Sequence, residues 1–222
     1  MLRQWLDIKK HKVGSLPQQH RVLPTDRGPL DIKGPVTPGE LRYLNLNHDL
    51  DGFRPPDRQQ EALVQIARLP EGRVYVACSG NTIIGYVTFH GPEEFERWGQ
   101  GGIKEIMELG AIEIGRSWRG VGAARALLDL IFAEDWIEDY IIIACEYCWH
   151  WDLEGTGLSV WQYRAMMENL LGRFGMKNTG TDDPDICDHP ANMLAVRIGN
   201  RVSNEATEAF ERLRFRRTSI YS

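Results

Sequence analysis

The sequence lacks three features: an apolar run long enough to cross a membrane, an excess of positive charge, and a secretory leader. Its 26 Lys and Arg face 31 Asp and Glu, for a formal net charge of -5, whereas a nucleic-acid-binding surface is basic. A membrane-spanning helix needs about 20 consecutive apolar residues. The N-terminal stretch MLRQWLDIKKHKVG has no apolar segment or cleavage site after its basic residues. We therefore expect a cytoplasmic protein with no nucleic-acid partner and no membrane partner.

Cysteine is also scarce. Only four cysteines occur in 222 residues, at Cys78, Cys145, Cys148 and Cys187. Their irregular spacing is typical of reduced thiols in the cytosol. With 42% hydrophobic residues the chain can form a real core, and its length suits one large domain. Residues 1–27 are polar and predict a flexible N-terminal arm, which leaves residues 28–222 as a single domain.

Hydrophobic patterning predicts an α/β domain. The predicted strands are residues 30–36, 73–79, 82–89, 109–114, 140–144 and 192–198. Four predicted helices begin after Thr37, Asp57, Gly122 and Ser203, and a fifth occupies residues 160–171. Residues 91–107 are predicted as a polar segment that is largely helical. This order predicts a mixed, mostly antiparallel central sheet flanked by helices, with a parallel pair at the strand–helix–strand crossover.

The rest of the chain is organised around residues 108–128, ELGAIEIGRSWRGVGAARALL. The stretch has the pattern of a strand, a basic glycine-rich turn and a helix. Such a turn leaves backbone N–H groups unpaired at the positive end of the helix dipole, which suits a phosphate or pyrophosphate. Gly122 allows a diphosphate to approach the backbone, because a Cβ there would collide with it.

The hexapeptide in this turn resembles the Q/R-x-x-G-x-G/A motif of the GNAT superfamily of acyl-CoA N-acyltransferases. It comprises Arg119, Gly120, Val121, Gly122, Ala123 and Ala124. The resemblance implies that these residues bind the pyrophosphate of CoA, with acetyl-CoA as co-substrate and no metal. It also implies a GNAT-like fold with splayed strands at the CoA site, where backbone groups of Ile112 and Ile114 bind the pantetheine arm.

Longer segments resemble a narrower group within that superfamily. LDGFRPP, ELGAIEI, EYCWHWDL and HPANMLAVRIG are similar to the acetoin utilization protein A group of bacterial protein lysine acetyltransferases, and the similarity spans roughly residues 28–217. This resemblance implies that the acceptor is a lysine of acetyl-CoA synthetase, whose activity the acetylation lowers. The assembly state stays open, and a homodimer is one option.

Acetylation of a lysine needs a base. An unperturbed lysine has a pKa of about 10.4, so little free amine exists near neutral pH, and a positioned carboxylate can take the proton. Glu108 stands eleven residues before Arg119, which resembles the base position in histone-type GNAT enzymes, and we predict it as the base. The alternative is a solvated acid at a strand end. Period-two alternation places Glu113 on the opposite face, as an ion-pair partner of an arginine.

The departing thiolate needs an acid. Many GNAT enzymes use a tyrosine four residues before a Gly-Phe pair, but here the pair is Gly175-Met176 and the position holds Leu171. Either Tyr147 or Tyr163 could act as the acid in place of the missing tyrosine, and we include Tyr147 in the predicted site. The oxyanion donor is expected among the backbone N–H groups of the key strand.

Other residues keep alternative interpretations. Cys145 and Cys148, with His150, could begin a zinc site, although such cysteines more often lie buried at a strand end. Cys145 as an acyl-carrying nucleophile would need a base beside it. Trp149 and Trp151 suit either the wall of an acceptor cleft or a cover over the end of the sheet. The acidic residues 182–188 either attract a lysine-bearing surface or are simply solvated. Two other functions stay open: a GNAT enzyme for a small amine, and a CoA-binding regulatory protein that forms a complex with the synthetase.

Overall fold

The computed structural model describes residues 17–216. The strands in chain order are β1 (Gln19–Leu23), β2 (Leu30–Gly34), β3 (Asn45–Leu46), β4 (Arg73–Ser79), β5 (Thr82–His90), β6 (Ile106–Ile114), β7 (Ile141–Glu146), β8 (Lys177–Asn178) and β9 (Met193–Ile198). They form one sheet in the order β1-β2-β4-β5-β6-β7-β9-β8, with β3 beside β5. Within this part of the chain the pairs are antiparallel except β6–β7 and β3–β5. The predicted mixed, mostly antiparallel sheet is confirmed.

Helices cover both faces of the sheet. They are α1 (Pro38–Tyr43), α2 (Pro56–Ile66), α3 (Arg97–Gln100), α4 (Ala123–Ile131), α5 (Leu153–Thr156), α6 (Val160–Gly172), α7 (Pro184–Cys187) and α8 (Asn204–Arg214). α4 and α6 pack their apolar sides on one face, and α1, α2 and α8 pack on the other. None of the helices between residues 17 and 216 is long and apolar enough to span a membrane.

α4 is anchored by a stripe of small and branched apolar residues. Ala123, Ala126, Leu127, Leu130 and Ile131 recur at the spacing of three and four that places side chains on one side of a helix, and all five are buried. The glycine-rich turn before α4 is therefore attached to an element that packs firmly on the sheet.

The N-terminal segment contains a strand that the sequence does not predict. β1 pairs antiparallel with β2, from Gln19 with Gly34 to Leu23 with Leu30, so the prediction of a flexible arm is wrong for residues 19–23. Its polar side chains carry no strand pattern because β1 is an edge strand and buries little. Residues 1–16 of the predicted arm lie outside the described residues.

The predicted helical excursion over residues 91–107 is wrong for most of its length. Only Arg97–Gln100 are helical, and β6 already begins at Ile106. Trp98 is buried against Phe210 of α8, with ring centroids 5.8 Å apart, and Ile106 pairs with Ile141. Contacts distant in sequence therefore outweigh the local helical tendency.

Thr37→Ala removes the start signal of α1. The Thr37 hydroxyl accepts the N–H of Glu40 at 3.2 Å, and the Glu40 carboxylate accepts the N–H of Thr37 at 2.8 Å, which completes a capping box. We expect the free energy of unfolding to fall by about 1 kcal/mol in urea denaturation. Thr207→Ala is the control, because Thr207 lies within α8 and its hydroxyl donates only to the Ser203 carbonyl. An equal loss in the control would contradict the capping explanation.

Candidate active site

The candidate site begins where β6 and β7 separate. Their parallel pairing runs only from Ile106 with Ile141 to Glu108 with Ile143. β6 continues to Ile114 without β7 beside it. The splayed strand pair expected at the CoA site is therefore confirmed.

The backbone of Ile112 and Ile114 faces this opening. The Gly115 N–H donates to the Ile84 carbonyl of β5 at 2.8 Å, and successive residues of a strand direct their N–H and C=O groups to opposite sides. Ile112 and Ile114 are therefore turned away from β5. In agreement, Arg119 Nε lies 3.4 Å from the Ile114 carbonyl oxygen. Binding of the pantetheine arm by these groups stays a prediction.

A β-bulge at Gly110 interrupts the alternation of β6. Ala111 pairs with Thr88 of β5, whereas Leu109 pairs with Phe89, so Gly110 is the extra residue. Side chains before and after Gly110 therefore do not follow one period-two pattern.

Because of the bulge, Glu108 and Glu113 lie on the same face of the sheet. Their cross-strand partners, His90 and Tyr86, stand four residues apart on β5 and share a face, so the prediction of opposite faces is wrong. Within residues 17–216, Glu113 forms no ion pair with an arginine, so that prediction is wrong for the described chain. The Glu113 carboxylate accepts hydrogen bonds from the Tyr86 hydroxyl and, at 2.7 Å, from the Gly52 N–H. It anchors the loop after β3 to the sheet.

The Glu108 carboxyl is placed to exchange a proton near neutral pH. Burial raises the pKa of Glu108 to about 7, His90 opposes this rise, and Glu96 and Glu93 add to it. No described residue donates a hydrogen bond to its carboxylate. A carboxyl with this pKa is partly ionised at pH 7 and can take up a proton. This favours the base over the alternative of a solvated acid.

Glu108→Gln is expected to make the protein more stable at high pH. Because the pKa of Glu108 is raised from 4.5 to about 7 in the folded chain, the free energy of unfolding of the wild type falls as pH rises from 4.5 to about 7, by about 3 kcal/mol. Glutamine has no charge to bury, so the variant avoids this loss. Urea denaturation at pH 8 should therefore favour the variant by that amount, and at pH 4 the two should agree. A difference that does not change with pH would contradict the pKa.

The turn between β6 and α4 leaves several donors free. The Asp49 carboxylate supports it by accepting the N–H and hydroxyl of Ser117, both at 2.8 Å. Gly120 and Gly122 have φ angles of 82° and 87°, in the left-handed region that glycine adopts readily. Within the described chain, the N–H groups of residues 120–124 donate to no other protein group, and they lie at the positive end of the α4 dipole. This geometry fits a diphosphate.

Two arginines flank the turn, and each forms ion pairs with aspartates of neighbouring loops. Arg116 lies 2.8 Å from Asp51 and 3.2 Å from Asp152, and Arg119 lies 2.8 Å from Asp152. The contacts of Arg119 use its Nε and Nη1 atoms, so its Nη2 donors remain available to an anion. Asp152 also accepts the Gly155 N–H at 2.9 Å at the start of α5, and it thereby joins the turn to the segment after β7.

Tyr147 lies directly after β7 and near Glu108. The Cys148 N–H donates to Asn192 Oδ1 at 2.9 Å, which fixes this segment, and the Tyr147 ring stacks on Trp149 with centroids 4.7 Å apart. Burial raises the pKa of Tyr147, and the charges of acidic neighbours, Glu108 among them, raise it further. The phenol is therefore protonated at neutral pH, as a general acid must be.

The other candidates for the acid are placed differently. Leu171 is fully buried in the core. Tyr163 stacks on Trp151 with centroids 5.1 Å apart and packs on the core that α4 and α6 cover. Burial raises the pKa of Tyr163, and the charge of Arg119 opposes the rise. Tyr147 is thus the tyrosine whose pKa responds to Glu108.

The cysteines do not favour their alternative roles. Burial, followed by the charge of Glu108, raises the pKa of Cys145 well above its usual value, so the thiolate needed of a nucleophile is disfavoured. Across residues 17–216, no three His, Cys, Asp or Glu side chains are grouped so that they could hold a metal ion. All four cysteines are free thiols.

Comparison with known proteins finds close relatives. The pattern of the acetyltransferase (GNAT) family matches residues 43–149. The chain is 46% identical over 197 residues to the acetoin utilization protein AcuA of Bacillus subtilis (strain 168), covering 89% of this chain and 94% of that protein. It is 45% identical over 199 residues to AcuA of Bacillus licheniformis, covering 90% and 95%. The crystal structure of an acetoin utilization protein from Exiguobacterium sibiricum 255-15 superposes with a TM-score of 0.89 at 46% identity, covering 92% of this chain and 97% of that one.

Proposed function

Since the chain belongs to the acetoin utilization protein AcuA family of acetyl-CoA-dependent GNAT N-acetyltransferases, we propose that its acceptor is the ε-amine of a protein lysine. The proposed target is acetyl-CoA synthetase in the cytosol. Acetylation of that lysine lowers the activity of the synthetase in acetoin and acetate metabolism.

The Glu108 carboxyl carries this proposal. It lies at the last residue of β6 that pairs with β7, and burial raises its pKa to about 7. An ε-ammonium group has a pKa of about 10.4 and must lose a proton before its nitrogen can react. A partly ionised carboxyl at the base of the opening supports the role of general base.

The open end of the site fits acetyl-CoA. The N–H groups of residues 120–124 and the Nη2 atom of Arg119 would hold the diphosphate. The backbone of Ile112 and Ile114 would hold the extended pantetheine arm, much as a sheet edge binds a strand. When bound, acetyl-CoA supplies an acetyl group activated as a thioester.

The side chains of this site then account for the protons. The amine nitrogen forms its bond to the acetyl carbon as the C–S bond breaks. Glu108 takes one proton from the ε-ammonium before the attack and passes it to solvent, and it takes a second from the same nitrogen as the bond to the acetyl carbon forms, while a backbone N–H of β6 donates to the oxyanion. Tyr147 gives its phenolic proton to the departing thiolate and regains one from solvent, to which Glu108 releases the second proton it took.

Incubation with isotope-labelled acetyl-CoA and purified acetyl-CoA synthetase tests the proposal. We expect mass spectrometry to find one predominantly labelled lysine, and synthetase activity to fall in parallel. A reaction without the protein measures spontaneous acetylation. Absence of transfer above that control would show the proposal to be wrong. Transfer to small amines alone would indicate a small-amine enzyme, and a stable complex without transfer would indicate a regulatory binding protein.

A further inference from the structure

Four aromatic rings, here called the aromatic patch, lie together beside the candidate site: Phe53, Tyr147, Trp149 and His150. His150 lies 6.1 Å from the rings of Tyr147 and Trp149 and 5.8 Å from that of Phe53. Trp149 is 55% exposed and Phe53 is 38% exposed. Large rings that are exposed next to one another indicate a binding surface, whereas single exposed rings are common.

Two loops from distant parts of the chain hold the patch in place. The loop that carries Phe53 is fixed by the Gly52 N–H, which donates to the buried Glu113 at 2.7 Å. The loop that carries the other three rings is fixed by the Cys148 N–H, which donates to Asn192 at 2.9 Å. Because both loops are anchored to the sheet, the patch is ordered before a partner binds, which lowers the entropic cost of association.

Carboxylates act on Tyr147 of the patch and on the neighbouring Glu108. The acidic side chains whose charges act on Glu108 or Tyr147 are Glu93, Glu96, Asp183 and Asp185. Arg97 opposes one of them, because it lies 3.0 Å from Asp183, and His90 acts on the pKa of Glu108 in the opposite direction to Glu96 and Glu93. The remaining carboxylates, Glu93, Glu96 and Asp185, add negative charge around Glu108 and Tyr147.

We infer that the aromatic patch and these carboxylates recognise an extended protein segment in which the acceptor lysine is flanked by further Arg or Lys residues. The inference rests on the proposed transfer to a protein lysine. Guanidinium and ammonium groups are attracted to aromatic faces within about 6 Å, and carboxylates draw a cationic segment toward the site. A small amine has no flanking residues that could make these contacts. The patch therefore separates protein lysines from small amines.

Two synthetic peptides with the same central lysine, flanked either by Arg or by Glu, test the inference. Initial rates are measured for the wild type, for Trp149→Ala and for a control, Tyr43→Ala, whose ring is 83% exposed on α1. We expect the wild type to prefer the Arg-flanked peptide by at least about tenfold in kcat/KM, and the preference to shrink in about 0.5 M NaCl. Trp149→Ala should raise KM for that peptide roughly fivefold to thirtyfold. Its Kd for acetyl-CoA should stay unchanged, as should every value for Tyr43→Ala.

The outcomes separate this inference from the proposed function. Equal rates with the two peptides, an unchanged KM in Trp149→Ala, or an equal rise in Tyr43→Ala would overturn the inference and leave lysine acetylation intact. Transfer to the synthetase but to neither peptide would also overturn it alone, because a linear segment would then not suffice. Failure of the wild type to acetylate either peptide or the synthetase would overturn both.

Discussion

Glu108→Gln is expected to lower kcat by a factor of about 10²–10⁴ while the affinity for acetyl-CoA stays unchanged. The amide cannot take a proton from the acceptor amine. The turn at residues 119–124, which we expect to bind CoA, lies beyond the other end of β6 and keeps its geometry. Steady-state kinetics with the acceptor and calorimetry with acetyl-CoA measure the two quantities. The variant should also be the more stable protein above pH 7, so its loss of activity cannot come from unfolding.

The pH profile gives the sharper measurement. Because burial raises the pKa of Glu108 to about 7, wild-type kcat/KM should contain an inflection near pH 7, with the rate falling below it as the carboxylate is protonated. The variant should lack this inflection. Glu94→Gln, a change of an exposed acid in the loop before α3, should keep the wild-type rate and profile. An inflection near pH 7 that survives in Glu108→Gln would mean that another group is the base.

Gly122→Val is expected to weaken acetyl-CoA binding by at least about 100-fold in Kd. Gly122 has φ of 87, and a Cβ added there would meet no protein atom within 4 Å. The side chain would therefore enter the open space in which we expect the diphosphate, and a β-branched residue is strained at this φ. Equilibrium titration with acetyl-CoA measures the loss.

Gly28→Val is the control that separates the effect of backbone strain from the effect of filling the diphosphate site. Gly28 has a φ of 100° and equally open surroundings, but it lies in the turn between β1 and β2 and not in the turn at residues 119–124. The two variants should lose similar amounts of stability in thermal unfolding, and only Gly122→Val should lose acetyl-CoA binding. Unchanged binding in Gly122→Val would mean that the pyrophosphate site lies elsewhere.

Elements that neighbouring residues determine could be predicted from the sequence. The capping box at Thr37, the hairpin of β4 and β5, and the strand–turn–helix around Gly122 each depend on residues a few positions apart. β1 could not be predicted, because its polar side chains gain a strand conformation only from the edge of β2. β6 begins earlier than predicted for a similar reason, because Ile106 pairs with Ile141, which is distant in sequence.

The candidate site likewise has a part that could be predicted from the sequence and a part that could not. Its motif, residues 119–124, is local in sequence and could be recognised, and the acid at Glu108 follows from its spacing to that motif. The residues that support it could not be recognised. Asp49 reaches Ser117 across 68 positions, and His90 acts on Glu108 only through the pairing of β5 with β6. The aspartates of HDLDG are typical of a turn, but nothing in the sequence says which turn they would support.

The bulge at Gly110 shifts the alternation of side chains between the two faces of β6 by one residue. In an uninterrupted strand, Glu108 would share a face with Ile112 and Ile114, whose side chains pack on the core under α4. The shift occurs where no side chain fits, since a Cβ at Gly110 would lie 2.4 Å from Nε2 of His90. Deleting Gly110 would remove only the extra residue and leave Glu108 on the face of Glu113, whereas pairing Gly110 in a regular ladder would turn the Glu108 carboxyl into that apolar core. The unpaired position of Gly110, and not the period-two pattern of the sequence, therefore keeps the acid out of the core.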